Sequence, residues 1–365
     1  MLDHVNVKSV KLFSLRGRIR DIQYKQDARL RNILLFALAS FPVCILWAMN
    51  SGAIQINTLA LVWSNDAYTH ANLHAAILTE IRFPRIVMTF ATGAGLAICG
   101  LTLQSLCRNP LADPGLLGVS ASAALFAGIG FLILNQSGLS VLPEVLFIPT
   151  MAFIGAAVSI ALLLLITRNV SIADNLLLVL TGVAINAGAG TLLGLVTFVV
   201  DDQTLREITF WSMGSYAGID WSISLVSSFL ICIGCVYLWV KKSVIMLLSL
   251  GDSHARFQGL DVKRNKTGLL VVCALITAVC VSFTGIVGFV GLIVPHICRM
   301  LVGSHLKLLI PASLLGGGCL VVVADTFARV LIVPAELPIG LLTSGLGVPF
   351  FIYLILRTKH KGSHV

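Results

Sequence analysis

From residue 32 onward the chain is a succession of long apolar runs separated by short polar stretches. Runs long enough to cross about 30 Å of hydrocarbon lie at 32–50, 84–106, 115–134, 147–167, 175–200, 221–240, 267–287, 307–328 and 339–356, with a shorter one at 289–303. The pattern predicts an all-α polytopic membrane protein of about ten spans. One long polar segment interrupts it, KKSVIMLLSLGDSHARFQGLDVKRNK at 241–266, which carries Lys241, Lys242, Arg256, Lys263, Arg264 and Lys266. Its middle, Leu250 to Val262, suits two short helices meeting at Gly251 and Gly259, because glycine ends helices readily. Such a loop is either a docking platform or a solvated linker between two bundles.

Within the runs, small residues recur, as at Gly93, Gly95 and Gly100, at Gly182, Gly188, Gly190 and Gly194, and at Gly316 to Gly318. They let helix backbones approach closely in lipid and predict a compact bundle. Where glycine clusters near proline, at 285–291 and 340–347, broken helices are expected. Non-helical backbone at membrane depth lines a cavity, so a substrate path is expected beside these breaks.

Composition agrees with the pattern: 57% hydrophobic and 11% charged residues, with a mean hydropathy of +0.97, exclude a soluble chain of 365 residues. The pI near 9.2 does not imply nucleic acid, since the basic residues are spread among the inter-helix segments instead of one face. They report orientation instead. The first thirty-one residues hold eight Lys or Arg and no small-residue cleavage site follows, so the first span is read as uncleaved with its N-terminus cytoplasmic. Ten spans that begin inside also end inside. On that topology all but four of the 25 Lys and Arg are cytoplasmic, as the positive-inside rule requires.

The four external exceptions are Arg82, Arg85, Arg206 and Arg329. In Arg82-Phe-Pro-Arg85 the spacing lets both guanidinium groups project from the first turn of the second span, where Pro84 has no intrahelical donor to lose. Lipid head groups or a protein partner are the candidate acceptors. The chain divides into a basic cytoplasmic extension (1–30), a ten-helix domain (31–357) containing the loop 241–266, and a cytoplasmic tail (358–365). The extension is a basic arm on anionic lipid or a plain tail.

Candidate chemistry is sparse. Cys232 and Cys235 form a C-x-x-C inside an apolar helix with no His or acid beside it, so they read as packing, and structural disulfides are not expected. His70 and His74 read as a solvated pair. No metal cluster is apparent, and no nucleophile and base converge in a span. No G-x-x-x-x-G-K-[ST] occurs, so the chain carries no phosphate cradle for ATP. No ionisable residue lies near a span centre; Asp113, Asp174, Asp325 and Glu336 fall at span ends. An ion-coupled secondary transporter generally needs such groups at depth, although it would share the span count, and a transporter energised by another subunit would not.

Four segments then carry a resemblance: Arg82-Phe-Pro-Arg85; Arg108-Asn-Pro-Leu-Ala-Asp-Pro-Gly-Leu-Leu-Gly-Val119; Gly285-Ile-Val-Gly-Phe-Val-Gly-Leu-Ile-Val-Pro-His296; and Ala335-Glu-Leu-Pro-Ile-Gly340. In this order and spacing they resemble the FecCD permease family, the membrane subunits of type II ABC importers for haem, ferric siderophores and vitamin B12. The resemblance covers residues 30–357. It implies a transport subunit that is not itself an enzyme, sits in the bacterial inner membrane, forms a homodimer, binds two cytoplasmic ATPase subunits that hold the ATP, and receives substrate from a periplasmic binding protein. It also implies an inverted repeat of spans 2–5 and 7–10, echoed faintly by Pro114-Gly-Leu-Leu-Gly118 and Pro338-Ile-Gly-Leu-Leu342, with the fifth and tenth spans lining the path.

On the same resemblance Arg82, Arg85 and Arg329 receive glutamates of the binding protein. Gly251, Asp252, His254, Ala255, Arg256 and Gly259 enter a cleft of the ATPase, and Asn186 lies on the path. The segment Asp201-Asp-Gln-Thr-Leu-Arg-Glu-Ile-Thr-Phe-Trp-Ser-Met-Gly214 is most similar to haem importers. Arg206, Phe210 and Trp211 at a pore mouth would suit a flat apolar macrocycle bearing two carboxylates; an interfacial aromatic belt with an ordinary loop arginine is the bland alternative. No permanently bound cofactor is expected, haem being the expected cargo, with a ferric siderophore or cobalamin as the alternative.

Overall fold

The computed structural model describes residues 39–52, 54–56, 58, 69–137, 144–167 and 175–362; the basic extension 1–30, Arg168 and Asp174 lie outside the described residues. In chain order the helices are α1 (Ala39–Asn50), α2 (Thr69–Ala76), α3 (Phe83–Cys107), α4 (Val119–Ser137), α5 (Glu144–Thr167), α6 (Asn175–Val199), α7 (Asp202–Met213), α8 (Trp221–Val240), α9 (Lys242–Leu250), α10 (Asp252–Phe257), α11 (Val262–Thr284), α12 (Val290–Val302), α13 (Leu306–Val330) and α14 (Ile339–Gly362). Among the described residues, six are long and apolar enough to cross a membrane, within Leu73–Cys107, Val145–Thr167, Leu177–Val199, Trp221–Val240, Val262–Thr284 and Leu306–Val330. Shorter apolar helices at Ala39–Asn50, Val119–Asn135, Val290–Val302 and Ile339–Tyr353 stand where the remaining four runs were read. Among the described residues there is no strand.

The bundle is built around α3, which packs against α8, α11, α12 and α13. Its glycines explain why. A Cβ on Gly93 would fall on the Gly317 carbonyl oxygen of α13, and one on Gly100 would fall on the Gly291 carbonyl of α12. Gly182 of α6 meets the Leu116 carbonyl in the same way, so at these positions backbone touches backbone, as small residues in lipid allow. Gly188, Gly190 and Gly194 behave differently: nothing lies within 4 Å of a Cβ built there. They lie among the exposed residues of α6, with Leu192, Leu195, Phe198 and Val199, and only 17% of the apolar window of α6 is buried, against 83% for Leu73–Cys107.

The second apolar run differs from the sequence expectation. Pro84 lies in the first turn of α3 as expected, but that turn is preceded by helix from Thr69 and a π-turn at Ile77–Arg82. The wider turn lets the Phe83 N–H reach Leu78 O, and the missing donor and the bulk of Pro84 are accommodated just past that bulge. Of the two expected breaks, one occurs. Residues 285–289 are non-helical between α11 and α12, with Gly285 at φ 68° and Phe289 at φ 66°. The other does not occur, since α14 runs through 340–347. Its glycines serve close approach instead, Gly340 against the Met213 carbonyl and Gly347 against the Phe289 ring.

Candidate docking, transport and coupling sites

At one end of the bundle, three arginines expected to project outward turn inward. Arg82, Arg85 and Arg329 are 5%, 7% and 7% exposed. Arg85 is held by two carboxylates. Its Nε lies 3.0 Å from Asp325 Oδ2 and 3.2 Å from Oδ1, and its Nη2 lies 2.8 Å from Oδ1. Its Nη1 and Nη2 also donate to Glu336 Oε1 and Oε2, both at 3.0 Å. Arg329 Nε is 3.3 Å from Asp325 Oδ2, and its Nη2 donates to Ala48 O at 3.2 Å. Arg82 donates to the carbonyls of Met49 and Ile54. The cluster therefore fastens α1 to α3 and α13, and through Glu336 it reaches the connection into α14. A cleft of about 570 Å³ lined by Asn50, Ser51, Gly52, Gln55, Ile56 and Val330 opens beside it.

The outward geometry is thus corrected: an arginine at the edge of lipid with an acid in reach pairs with it, because an unpaired buried guanidinium costs far more than a paired one. Asp325 and Glu336 were read only as acids at span ends. The i, i+4 spacing of Asp325 and Arg329 was the local signal that the acid has a basic partner.

The residues expected on the substrate path separate. Helix α7 is started by Asp201, whose carboxylate accepts from Thr204 Oγ1 at 2.6 Å and from the Gln203 and Thr204 N–H groups; the Thr204 hydrogen bond above all holds the Asp201 carboxyl below the usual carboxylate range. Four positions apart on α7, Arg206 and Phe210 share an exposed face; α7 itself packs on α4 and α14. Trp211 is half-buried, and its carbonyl lies against Gly285. Asn186 is half-buried and donates from Nδ2 to Gly115 O at 3.0 Å. Past α7 the chain is tied in place: Ser215 N–H donates to Thr284 O at 2.8 Å and Ile339 N–H to Gly214 O at 3.0 Å.

On the opposite side, α9 and α10 meet at Gly251, whose φ of 123° only glycine adopts without strain. His254, Arg256 and Gly259 are exposed and Asp252 is half-buried. Ala255 is fully buried, so it is corrected from a partner contact to a packing residue of the chain's own bundle. The residue sequence reasoning missed is Phe257, 90% exposed at the end of α10. An apolar residue inside a polar loop was the available signal. Between α3 and α4, Asp113 caps the turn at Pro114–Leu117, accepting the Gly115 N–H at 2.8 Å, and burial pushes its carboxyl up to about 6.

No group of three or more His, Cys, Asp or Glu is placed to hold a metal ion among the described residues. Cys232 and Cys235 line an apolar cleft of about 730 Å³ with Phe41, Phe90 and Trp239. His74 is described in α2, whereas the side chain of His70 lies outside the described residues.

The family model of the FecCD transport family matches residues 38–357. The chain belongs to this family. It is 40% identical over 337 residues to the hemin transport system permease protein HmuU of Yersinia pestis, covering 91% of this chain and 98% of that protein. It is 33% identical to the vitamin B12 import system permease protein BtuC of Vibrio cholerae, covering 93% and 97%, and 33% identical to the Fe(3+) dicitrate transport system permease protein FecD of Escherichia coli, covering 90% and 99%. The fold matches a solved metal-chelate type ABC transporter in an inward-facing conformation, with a TM-score of 0.79 and 26% identity over 90% of this chain and 99% of that one. This FecCD chain is therefore a multi-pass permease of a type II ABC importer of the metal-chelate, haem and B12 kind. It is a transport component and not an enzyme, and it works with an ATPase and a substrate-binding protein. Membership removes the ion-coupled alternative.

Proposed function

We propose that this permease carries haem from the periplasm to the cytoplasm across the bacterial inner membrane. The observation that carries this reading is the exposed pair Arg206 and Phe210 on one face of α7. A guanidinium and an aromatic ring one helical turn apart suit a propionate and the flat macrocycle beside it. The 40% identity to a permease named for hemin supports the same substrate. A ferric siderophore or cobalamin is the second reading, since similar chains are named for ferric dicitrate and vitamin B12.

In this reading the six long and four shorter apolar helices make ten spans with both termini cytoplasmic. A second copy covers the exposed face of α6, including Gly188, Gly190 and Gly194, and the path runs between the copies. The binding protein docks at the outer corner. Because Arg82, Arg85 and Arg329 are engaged internally, its carboxylates reach Arg85 by replacing Glu336, whose side chain is 39% exposed. On the cytoplasmic side two ATPase subunits each receive α10, with Gly251, Asp252, His254, Arg256 and Gly259 shaping it and Phe257 as the apolar knob. The test is uptake in vesicles holding the permease, its ATPase and its binding protein, offered hemin, a ferric siderophore or cobalamin. Hemin accumulation that falls about tenfold in Arg206→Ala and is partly restored in Arg206→Lys supports the reading. Preference for either other substrate overturns it.

A further inference from the structure

Helix α10 has six residues and is about 9 Å long at 1.5 Å per residue. At its C-terminal end a short connection, 258–261, leads into α11, where the Leu260 N–H donates to Ala255 O at 3.0 Å and Asp261 caps α11 by accepting the Arg264 N–H at 3.0 Å. At its N-terminal end it meets α9 at the buried Gly251, whose carbonyl accepts the Ala255 N–H at 3.0 Å. Its first hold on α11 is the 258–261 connection. The second hold is an ion pair: Lys266, one turn into α11 and only 2% exposed, places Nζ 2.7 Å from Asp252 Oδ2, across 14 positions of chain. A buried lysine is costly without its counter-charge, so the geometry locks the first residue of α10 to α11.

The far end of α11 is held too. Thr284 O accepts the Ser215 N–H at 2.8 Å, just past α7, and Gly285 lies against the Trp211 carbonyl. Gly214 O in turn accepts from Ile339 N–H at the start of α14. A single helix of 23 residues thus runs, over about 35 Å, from the cytoplasmic platform to the helix bearing Arg206 and Phe210.

We infer that α11 is a rigid rod that carries movement of α10 to the substrate mouth, with Lys266–Asp252 as its lower clamp and Thr284–Ser215 as its upper one. Lys266 is a positioning residue: buried, it touches neither ATPase nor cargo. The inference rests on the reading that α10 meets the ATPase, and its test separates the two.

The experiment uses the permease with its ATPase and binding protein, the accessible native cysteines replaced, and hemin as cargo. A cross-link from Ser253→Cys, exposed on α10, to the ATPase checks the docking reading itself; its absence overturns that reading and the linkage with it. Given the cross-link, Lys266→Met is expected to leave ATPase co-purification and basal hydrolysis unchanged while hemin moved per ATP falls about tenfold, the order of effect that coupling residues have on linked sites. The exchanged pair Asp252→Lys with Lys266→Asp should regain part of that ratio, as expected if the contact between the two charges sets it. An unchanged ratio in Lys266→Met, or hydrolysis and transport falling in proportion, overturns the clamp.

A second measurement leaves the ion pair intact and so does not depend on the variant folding. Spin labels at Ser253→Cys and at Leu275→Cys, 41% exposed on α11, should keep their separation within about 2 Å between nucleotide-free and ATP-trapped states, the scale of a rigid helix shift. A change of about 5 Å or more, the scale of a one-turn slip, shows that α10 moves without α11 and overturns the inference.

Discussion

Removing Arg85 leaves its two carboxylates in very different positions. Glu336 can rehydrate, its side chain being 39% exposed. Asp325, with a side chain 3% exposed, is left with Arg329 Nε at 3.3 Å as its ion-pair partner. Breaking a buried pair by deleting one partner costs about 3–5 kcal/mol, because the surviving charge is stranded. At about 2 °C per kcal/mol for a chain of this size, Arg85→Ala should lower the apparent Tm by about 5–10 °C. Asp325→Ala should cost more, since it takes from Arg329 its ion-pair partner and leaves Arg85 with Glu336 alone, while Glu336→Gln at a partly exposed site should cost under about 1 kcal/mol. The assay is loss of the monodisperse peak of detergent-purified permease on heating, with no partner present. The expected order of damage is Asp325→Ala, then Arg85→Ala, then Glu336→Gln. If Arg85→Ala melts like the parent chain and loses only binding-protein docking, the guanidinium is a free docking group and the internal cluster is refuted.

Gly100→Ala should impair folding and membrane yield, since its methyl would meet the Gly291 carbonyl; Gly190→Leu with Gly194→Leu, on an open face, should keep the monomer fold and shift dimer to monomer on multi-angle light scattering. Phe257→Ala should weaken ATPase binding by about thirtyfold or more, the scale of an interface hot spot, read by titration of the ATPase onto permease in nanodiscs; unaltered affinity would remove Phe257 from the interface. The raised carboxyl of Asp113, pushed to about 6 from 3.8, favours the protonated form in the folded chain. Its stabilising contribution is therefore complete below pH ~4 and lost as the pH rises through about 6. Relative to Asp113→Asn, the parent chain should lose up to about 3 kcal/mol of stability over that interval, and parallel melting curves across pH would contradict this.

Much of the architecture was legible in the residues because the bilayer imposes a length and a polarity on every span. The apolar runs at 147–167, 175–200 and 221–240 match α5, α6 and α8 closely, and Gly251 and Gly259 mark the ends of short helices in the polar loop, with φ of 123° and 78°. The spacing of four motifs was enough to reveal the family. What the letters do not contain is partnership across the bundle. Arg85 meets Asp325 240 positions away, and nothing near either residue says whether that guanidinium faces water, lipid or an acid on another span. The same holds for glycine: Gly93 and Gly190 look alike in sequence, yet one touches the backbone of α13 and the other touches nothing. Whether 285–291 or 340–347 would break was equally undecided locally, since proline and glycine permit a break and the packing of Phe289 on Gly347 selects where it falls. Local chemistry determined which segments are long and apolar enough to cross a membrane; which faces meet and which charges cancel were decided only when the helices packed, because those energies belong to pairs of residues brought together by the whole fold.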